Sequence, residues 1–230
     1  MALPVISTPK FELALPSDGS KISFRPFLVK EEKILMMAVE SDDQVEMGKA
    51  VCKIVNDCVD QDIDASNLPI FDLEYLFLNL RGKSVGETVD LKMKCEHCDS
   101  ENLVRVDLTD LPIFRPDGHE PKVELTDTVG MVMRCPSFVQ VSEAEGNKDP
   151  LALIYKCIDY VYDDKMVYKS SEVTEADLSN FIDGLNHKQL ESVNQFFETM
   201  PRIEKEITFK CTSCKKKNKM VLKGLQDFFE

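Results

Sequence analysis

Two short cysteine pairs have the residue types and the spacing that bind metal. Cys95-Glu96-His97-Cys98 and Cys211-Thr212-Ser213-Cys214 both follow the pattern Cys-x-x-Cys, and a lysine precedes each of them. Four thiolates brought together supply the ligands of a tetrahedral structural zinc ion, with Zn–S bonds of about 2.3 Å. The spacing therefore predicts one shared zinc site formed by Cys95, Cys98, Cys211 and Cys214.

Each cysteine pair lies between two runs of alternating apolar and polar residues, which is typical of a β-hairpin. Residues 89–94 and 103–106 flank the first pair, and residues 206–210 and 220–222 flank the second. Four positions after the second cysteine of each pair stands an asparagine, and these are Asn102 and Asn218. We therefore predict two matched hairpins with the cysteines at their tips. A joint site would tie together segments that are separated by 112 residues.

Other interpretations of the cysteines are possible. The pairs could be free thiols at exposed turns, or a redox pair. A thioredoxin-type pair sits at the N-terminus of a helix, which lowers the thiolate pKa, whereas these pairs lie between strands. His97 could replace a cysteine as ligand, although a solvent-facing turn position is the simpler interpretation. The remaining cysteines stand singly among apolar residues and are expected to be core or near-core thiols: Cys52, Cys58, Cys135 and Cys157.

The composition is that of a soluble globular chain. Its 230 residues are 43% hydrophobic and 30% charged, and no apolar run approaches the roughly 18 residues of a membrane span. The start of the chain lacks the charged and apolar regions of a signal peptide, so we expect reduced cysteines in a cytosolic protein. The net charge of −13 disfavours general binding to nucleic acid or anionic membranes. A local exception is a set of lysines in the second hairpin: Lys210, Lys215, Lys216, Lys217, Lys219 and Lys223.

An acidic segment, residues 60–67, has the composition of a calcium loop but not its spacing. When the loop is taken to start at Asp62, the position of the bidentate glutamate holds Leu73. We expect this segment to cap the helix that follows at Pro69. The sequence contains no P-loop, dinucleotide-binding fingerprint, GxSxG or HExxH motif, so we predict no enzyme.

The hydrophobic pattern places helices before each cysteine hairpin. After an N-terminal hairpin, the first set has three helices. The first covers about residues 28–40, the second opens at Ser41 with Gln44, and the third covers about residues 69–80. An extended stretch, residues 123–133, precedes the second set, whose helices open at Asp149-Pro150 (continuing to Val161), at Thr174 and at Asn186. The order indicates an α+β fold, with two helical lobes around β-hairpins whose CxxC tips meet in a zinc-ribbon-like four-cysteine site. We divide the chain into residues 1–110 and 111–230, which we expect to form one integrated unit.

Three stretches of the chain resemble the T4-like phage baseplate protein family. They are Leu3-Pro4-Val5-Ile6-Ser7-Thr8-Pro9-Lys10, then Arg25-Pro26-Phe27-Leu28-Val29-Lys30-Glu31-Glu32-Lys33, and Phe71-Asp72-Leu73-Glu74-Tyr75-Leu76-Phe77-Leu78 with its continuation Arg81-Gly82-Lys83-Ser84-Val85-Gly86-Glu87. The resemblance is strongest over the first 110 residues and extends more loosely to the last hairpin. It offers no catalytic residues, and the zinc prediction rests on the cysteine spacing alone.

The resemblance implies a non-enzymatic assembly chaperone for the central hub of a contractile tail. Such a protein would act in the cytoplasm of the infected host, bind baseplate hub proteins, and use neither a small-molecule substrate nor a membrane. An alternative is a permanent structural subunit of the hub, located in the virion baseplate. A third hypothesis, a zinc-ribbon nucleic-acid-binding protein, relies on the lysines of the second hairpin. The overall acidity and the lack of aromatic residues among those lysines disfavour it.

Overall fold

The computed structural model describes residues 6–41 and 43–228. The chain forms two compact units. The first unit contains the described residues of Met1–Phe114 and Arg202–Glu230, and the second unit is Arg115–Pro201. The expected division, residues 1–110 and 111–230, makes two consecutive parts of the chain. The last segment, however, belongs with the beginning of the chain, because both cysteine hairpins share one hydrophobic core.

The described residues alternate between helices and short antiparallel strands. The strands are β1 Phe11–Ala14, β2 Lys21–Phe24, β3 Thr88–Lys94, β4 Glu101–Asp107, β5 Ile113–Phe114, β6 Lys122–Glu124, β7 Gly130–Met133, β8 Ile158–Tyr162, β9 Val167–Lys169, β10 Arg202–Lys210 and β11 Lys217–Lys223. The helices are α1 Val29–Ser41, α2 Gln44–Cys58, α3 Ile70–Ser84, α4 Phe138–Glu145, α5 Ala152–Lys156, α6 Glu175–Asp183 and α7 His187–Glu198, with 3₁₀ turns at Ala65–Asn67 and Gln226–Phe228. The predicted α+β class is therefore confirmed.

The first unit is built around the buried helix α3. Leu76, Phe77, Leu78 and Leu80 of this helix have no exposed surface, as suits its nearly continuous apolar sequence. Leu78 joins the core formed by the inward residues of β3, β4, β10 and β11. Strands β3 and β4 form one hairpin, and β10 lies between β11 and β5 in a three-stranded sheet. The core therefore fixes both cysteine hairpins against the same helix.

In the first unit, the predicted helix start at Ser41 and the predicted capping by the acidic segment are wrong, whereas the predicted start of α3 near Pro69 is confirmed. Ser41 does not open α2. It ends α1, and its hydroxyl donates to the Ala38 carbonyl, while Asp43 caps α2 by accepting from two backbone N–H groups. The acidic segment does not cap α3 either, because Asp64 instead caps the 3₁₀ turn that precedes Pro69.

The second unit packs helices α4–α7 against the four-stranded sheet β6-β7-β8-β9. The helix predicted from Asp149-Pro150 to Val161 is wrong in its second half, since only Ala152–Lys156 is helical and Ile158–Tyr162 forms strand β8. The β-branched and aromatic residues of β8 pair on both sides, with β7 and β9, and this tertiary pairing overrides the apparent helical period. Helix α4 and strand β9 were not predicted. The starts of α6 at Thr174 and α7 at Asn186 are confirmed, each with a capping box.

Candidate metal centre

The two cysteine tips have the same backbone geometry. In the first tip, the Cys95 N–H donates to the Ser100 carbonyl (3.0 Å) and the Asp99 N–H donates to the Cys95 carbonyl (2.9 Å). In the second tip, the matching bonds join Cys211 to Lys216 (2.9 Å) and Lys215 to Cys211 (3.1 Å). The residue after the second cysteine has a positive φ in both tips, 55° at Asp99 and 62° at Lys215. The predicted match between the hairpins therefore extends to individual hydrogen bonds.

The structure brings the four predicted cysteines together. All four sulfur atoms lie within 4.8 Å of one another, with 3.6 Å between the Sγ atoms of Cys95 and Cys214 and 3.7 Å between those of Cys98 and Cys211. Zn–S bonds of about 2.3 Å in a regular tetrahedron place the sulfurs about 3.8 Å apart, whereas a disulfide requires about 2.05 Å. The spacing of the sulfur atoms therefore fits four ligands around one metal ion and does not fit two disulfides.

The four thiols differ in their tendency to ionise. The Ser100 hydroxyl lies 3.2 Å from the sulfur of Cys98 and 3.1 Å from that of Cys211. Donation of the single hydroxyl proton, to one sulfur at a time, lowers the pKa of the Cys98 thiol and lowers the pKa of the Cys211 thiol to about 5. At Cys214, the backbone N–H of Lys216 lowers the pKa, but burial and the three other cysteines outweigh this effect and raise the pKa to about 11. Close thiolates repel one another, and a bound cation would remove that repulsion.

Backbone N–H groups also point at the buried sulfurs. The His97 N–H lies 3.4 Å from the sulfur of Cys95, and the Cys214 N–H lies 3.5 Å from the sulfur of Cys211. Cys95 and Cys211 are almost completely buried, whereas Cys98 is exposed and Cys214 is half-buried. N–H donors of this kind stabilise thiolates, which are the form of cysteine that binds metal.

Asn102 and Asn218 connect the two tips reciprocally, in an arrangement that we call the asparagine clamp. The Asn102 Oδ1 accepts from the Thr212 N–H of the second tip (2.8 Å), and the Asn218 Oδ1 accepts from the Glu96 N–H of the first tip (3.0 Å). Each side-chain amide also donates to a carbonyl of its own tip. Both side chains are buried. The clamp therefore holds the tips in register with hydrogen bonds that do not involve sulfur.

The sequence revealed the matched positions of Asn102 and Asn218 but not their role. Each side chain bonds to the opposite hairpin, more than 100 residues away, so local pattern contains no signal for the contact. Ser100 was also missed, because it has no counterpart in the second tip, where Lys216 stands at the matching position. The repeated spacing from cysteine to asparagine is the signal that could have identified the clamp.

The remaining sequence candidates lie outside this cluster. His97 is exposed, and only its backbone N–H approaches a sulfur. The expected core positions of Cys52, Cys58 and Cys157 are confirmed, and burial raises the pKa of these thiols to about 11, 11 and 12. Cys135 is half-buried beside the core of the second unit. In residues 6–41 and 43–228, the four-cysteine cluster is the one group found with metal-binding spacing.

The two other histidines make structural contacts. His119 Nδ1 lies 3.1 Å from the Thr199 hydroxyl, and its ring packs on Phe196 with 5.0 Å between the ring centroids. Burial lowers the pKa of His119. His187 is the first residue of α7, and it lies 3.4 Å from the carboxylate of Glu191. No helix among the described residues is long and apolar enough to cross a bilayer.

Comparison with known proteins gives two matches along nearly the whole chain. The family model described as T4 bacteriophage base plate protein matches residues 8–230. The chain is also 24% identical over 214 residues to the baseplate hub assembly protein gp26 of Enterobacteria phage T4, covering 92% of this chain and 94% of that protein. No solved structure matches the chain.

Proposed function

The chain belongs to the T4 bacteriophage base plate protein family, and we propose that it is a non-enzymatic factor that helps baseplate hub proteins to associate. The observation that carries the proposal is the match along 92% of the chain to a protein named for hub assembly. On this proposal, the protein acts as a chaperone in the cytoplasm of the infected host. It binds hub subunits transiently and leaves before the baseplate is complete.

A permanent place in the baseplate hub is the alternative. Both functions require surfaces that bind other baseplate proteins, and neither requires a catalytic group. They differ in whether the protein remains in the finished particle. The histidines and the buried cysteines outside the cluster favour neither function over the other. They make packing and hydrogen-bonding contacts within the chain.

Quantitative mass spectrometry of assembly intermediates and purified tails separates the two functions. We expect the chain in intermediates, bound to hub proteins, and not in finished tails. A fixed stoichiometry in finished tails would contradict the chaperone and support the structural subunit. Failure to find the chain with any baseplate protein, at any stage, would contradict both.

We further propose that Cys95, Cys98, Cys211 and Cys214 bind one structural Zn²⁺. The sulfur spacing supports a tetrahedral ion, and a site with four thiolates suits zinc or iron rather than a hard cation such as Mg²⁺. Four protein ligands leave no open position on zinc, so the ion would contribute stability and no reaction. Its role would be to join β3–β4 to β10–β11.

Measuring the metal content of the purified chain and its variants tests the proposed zinc site. The purified chain is expected to contain one zinc per molecule, and Cys95→Ser and Cys211→Ser should each lose it. His97→Ala is the matched control, because it changes the same tip without removing a sulfur, and it should retain the zinc. Iron in place of zinc would contradict the choice of metal. Zinc retained in both cysteine variants would contradict the shared site.

The lysines of the second tip give only weak support to a nucleic-acid-binding function. Lys210 and Lys217 lie directly opposite each other across β10 and β11 and are exposed. At positions matching Lys215 and Lys217, however, the first tip carries Asp99 and Glu101, so the joined tips do not form a uniformly basic surface. Binding of duplex DNA that falls steeply with salt, and is lost when Lys215, Lys216 and Lys217 are changed to glutamate, would revive this hypothesis.

A further inference from the structure

We propose that the free edge of β9, together with the cavity beside it, binds an extended segment of a baseplate protein. That segment carries an apolar side chain flanked by basic ones. The inference rests on the proposed function, since it identifies a surface through which the chain binds its partners. The surface lies entirely within the second unit.

Strand β9 is an edge strand of its sheet, so some of its backbone N–H and C=O groups point away from the sheet. The Asp163 N–H donates to the Met166 carbonyl (3.1 Å) and the Ser170 N–H donates to the Asp159 carbonyl (2.9 Å). In an antiparallel pair the bonds alternate, so the N–H and C=O of Val167 and Lys169 point away from β8. The Lys169 carbonyl already accepts a hydrogen bond from the Glu172 N–H (2.9 Å). Among the described residues, the remaining three groups have no strand beside them.

The residues at this edge are apolar and exposed. Met166 is 55% exposed, Val167 is 51% exposed and Tyr168 is 37% exposed. Natural sheets commonly protect an exposed edge with lysine, proline or a bulge, because an apolar edge recruits another strand. Lys169 protects one end of this edge, and the three consecutive exposed apolar residues before it indicate a binding surface.

A cavity of about 270 Å³ opens beside this edge, between the β8–β9 hairpin and α6. Its apolar wall comes from Val161, Tyr168, Val173, Leu178 and Phe181. Pockets for drug-sized ligands span roughly 300–1,000 Å³, so this one suits a single large side chain. Tyr168 of β9 forms part of its wall, so on this proposal a side chain from a strand added to β9 enters the cavity past Tyr168.

Two carboxylates line the cavity, while the basic residues of the adjoining hairpin are Lys165 and Lys169, the latter paired with Glu172. Asp163 accepts from the Tyr168 hydroxyl (3.0 Å), and backbone N–H donors from Lys165 and Met166 lower its pKa. Hydrogen bonds from Thr174 lower the pKa of Asp177. Both carboxylates are therefore charged at neutral pH. The second unit as a whole has 16 acidic and 8 basic side chains, so a partner with lysine or arginine beside its apolar anchor is complementary.

Strand addition uses these features together. Main-chain hydrogen bonds to an exposed edge supply affinity, and a pocket that receives an alternate side chain supplies specificity. At β9, Val167 and Lys169 would provide the main-chain groups, and the cavity lined by Phe181 would provide the pocket. A small molecule bound in the cavity would leave the main-chain groups of the open edge unpaired.

Co-purification from infected cells, with wild type and variants at matched levels, tests the surface. Val167→Lys should reduce the recovered baseplate protein about tenfold or more, the loss expected when one central interface residue is removed. The matched control is Leu103→Lys, which changes an apolar strand residue that is 69% exposed in the first unit and should leave recovery unchanged. Circular dichroism checks that both variants fold. Equal recovery with wild type and Val167→Lys would overturn the inference but not the proposed function.

Photo-cross-linking identifies the occupant. With a benzophenone amino acid at position 167, we expect a cross-link to a baseplate protein, mapped to a segment with apolar and basic residues. The same probe at Lys188, an exposed position of α7, should give none. Cross-linking to a second copy of this chain, or none at position 167 while baseplate protein co-purifies, would overturn the inference. If the wild type co-purifies with no baseplate protein, the proposed function itself fails.

Discussion

The asparagine clamp is the part of the centre that does not depend on metal. Asn102 and Asn218 each satisfy a backbone N–H at the opposite tip, and both are buried. A buried N–H that loses its acceptor costs about 1–3 kcal/mol. The clamp therefore orients the cysteines without help from the proposed ion, as hydrogen bonds around metal ligands commonly do.

We expect Asn102→Ala and Asn218→Ala to lower the free energy of unfolding by similar amounts, about 1–3 kcal/mol each, because their bonds to the backbone are equivalent. Both variants should also bind zinc more weakly. Asn194→Ala, at an exposed position of α7, is the control and should change stability by less than about 0.5 kcal/mol. Urea denaturation and competition with a zinc chelator measure these effects. A loss at Asn102 no larger than that at Asn194 would show that the clamp does not stabilise the tips.

Glu74 links α3 to the end of the chain, and its carboxyl group has an unusual pKa. Its Oε1 accepts from the Leu225 N–H at 2.9 Å. Burial raises the pKa of Glu74 to about 7, because burial and the nearby charge of Asp227 together outweigh the lowering by the Leu225 hydrogen bond. The folded protein thus keeps a proton on Glu74 at pH values where the unfolded chain, with its ordinary value of 4.5, has lost it.

The stabilisation from this proton is complete below about pH 4.5 and is lost as the pH rises to about 7, by up to about 1.4 kcal/mol per pH unit. Glu74→Gln should remove this slope, so that the variant gains stability relative to wild type at pH 8 compared with pH 5. Thermal unfolding at the two pH values measures it. Glu145→Gln, at an exposed position at the end of α4, should keep the wild-type slope. An unchanged slope in Glu74→Gln would refute the assignment.

At the scale of elements, β7 depends on a glycine because two neighbours leave no room for a side chain. A Cβ at Gly130 would lie 2.2 Å from the Tyr162 hydroxyl and 2.7 Å from the backbone carbonyl of Val123. The tyrosine could move, but the carbonyl belongs to the paired strand β6. Gly130 therefore allows β6, β7 and β8 to pack closely.

Gly130→Ala should destabilise the protein by about 1–3 kcal/mol, the usual cost of overpacking. Gly82→Ala is the contrasting variant. Gly82 lies within α3, the nearest atom to its added Cβ would be Leu108 Cβ at 3.9 Å, and alanine should stabilise the helix by up to about 1 kcal/mol. Chemical denaturation of both variants gives the comparison. Equal effects of the two alanines would contradict the steric argument.

The elements show what could be predicted from the sequence and what could not. The cysteine hairpins were predictable because alternation, cysteine spacing and asparagine position all repeat, and this repeat also located the sulfur cluster. Strand β8 was not, because residues 151–161 are apolar at both helical and strand spacing, and the choice between them is made by pairing with β7 and β9. Strand β9 has only three residues, too few for a period to appear.

At the scale of the whole molecule, the first unit is interrupted in sequence by the second. The chain leaves through β5 and returns at the start of β10, where Ile113 pairs with Ile203 and Phe114 with Arg202. The Arg202 guanidinium also lies over the Phe114 ring, 4.7 Å from its centroid. The strands at which the chain leaves and rejoins the first unit, β5 and β10, are thus neighbours. This arrangement is expected where one compact unit is inserted into the sequence of another.

We expect metal removal to loosen the first unit and not the second, because all four ligands belong to the first. After chelation, trypsin should cleave faster at Lys215, Lys216 and Lys217 of the second tip. Residues 115–201, which have their own hydrophobic core, should keep their digestion pattern. Mass spectrometry of the fragments over time checks both statements. Unchanged cleavage at the tip, with the metal shown to be gone, would contradict a structural role for the ion.

The segment of chain between the two tips also takes time to synthesise. At about 5–20 residues per second, a ribosome needs roughly 6 to 22 s to synthesise the 112 residues between Cys98 and Cys211. Throughout that interval the first tip has two thiols without their partners, and the core of the first unit lacks β10 and β11. We therefore expect closure of the cysteine cluster to be among the last events of folding. A nascent chain released early would still display two unpaired thiols and an open core, which would expose it to chaperones and proteases.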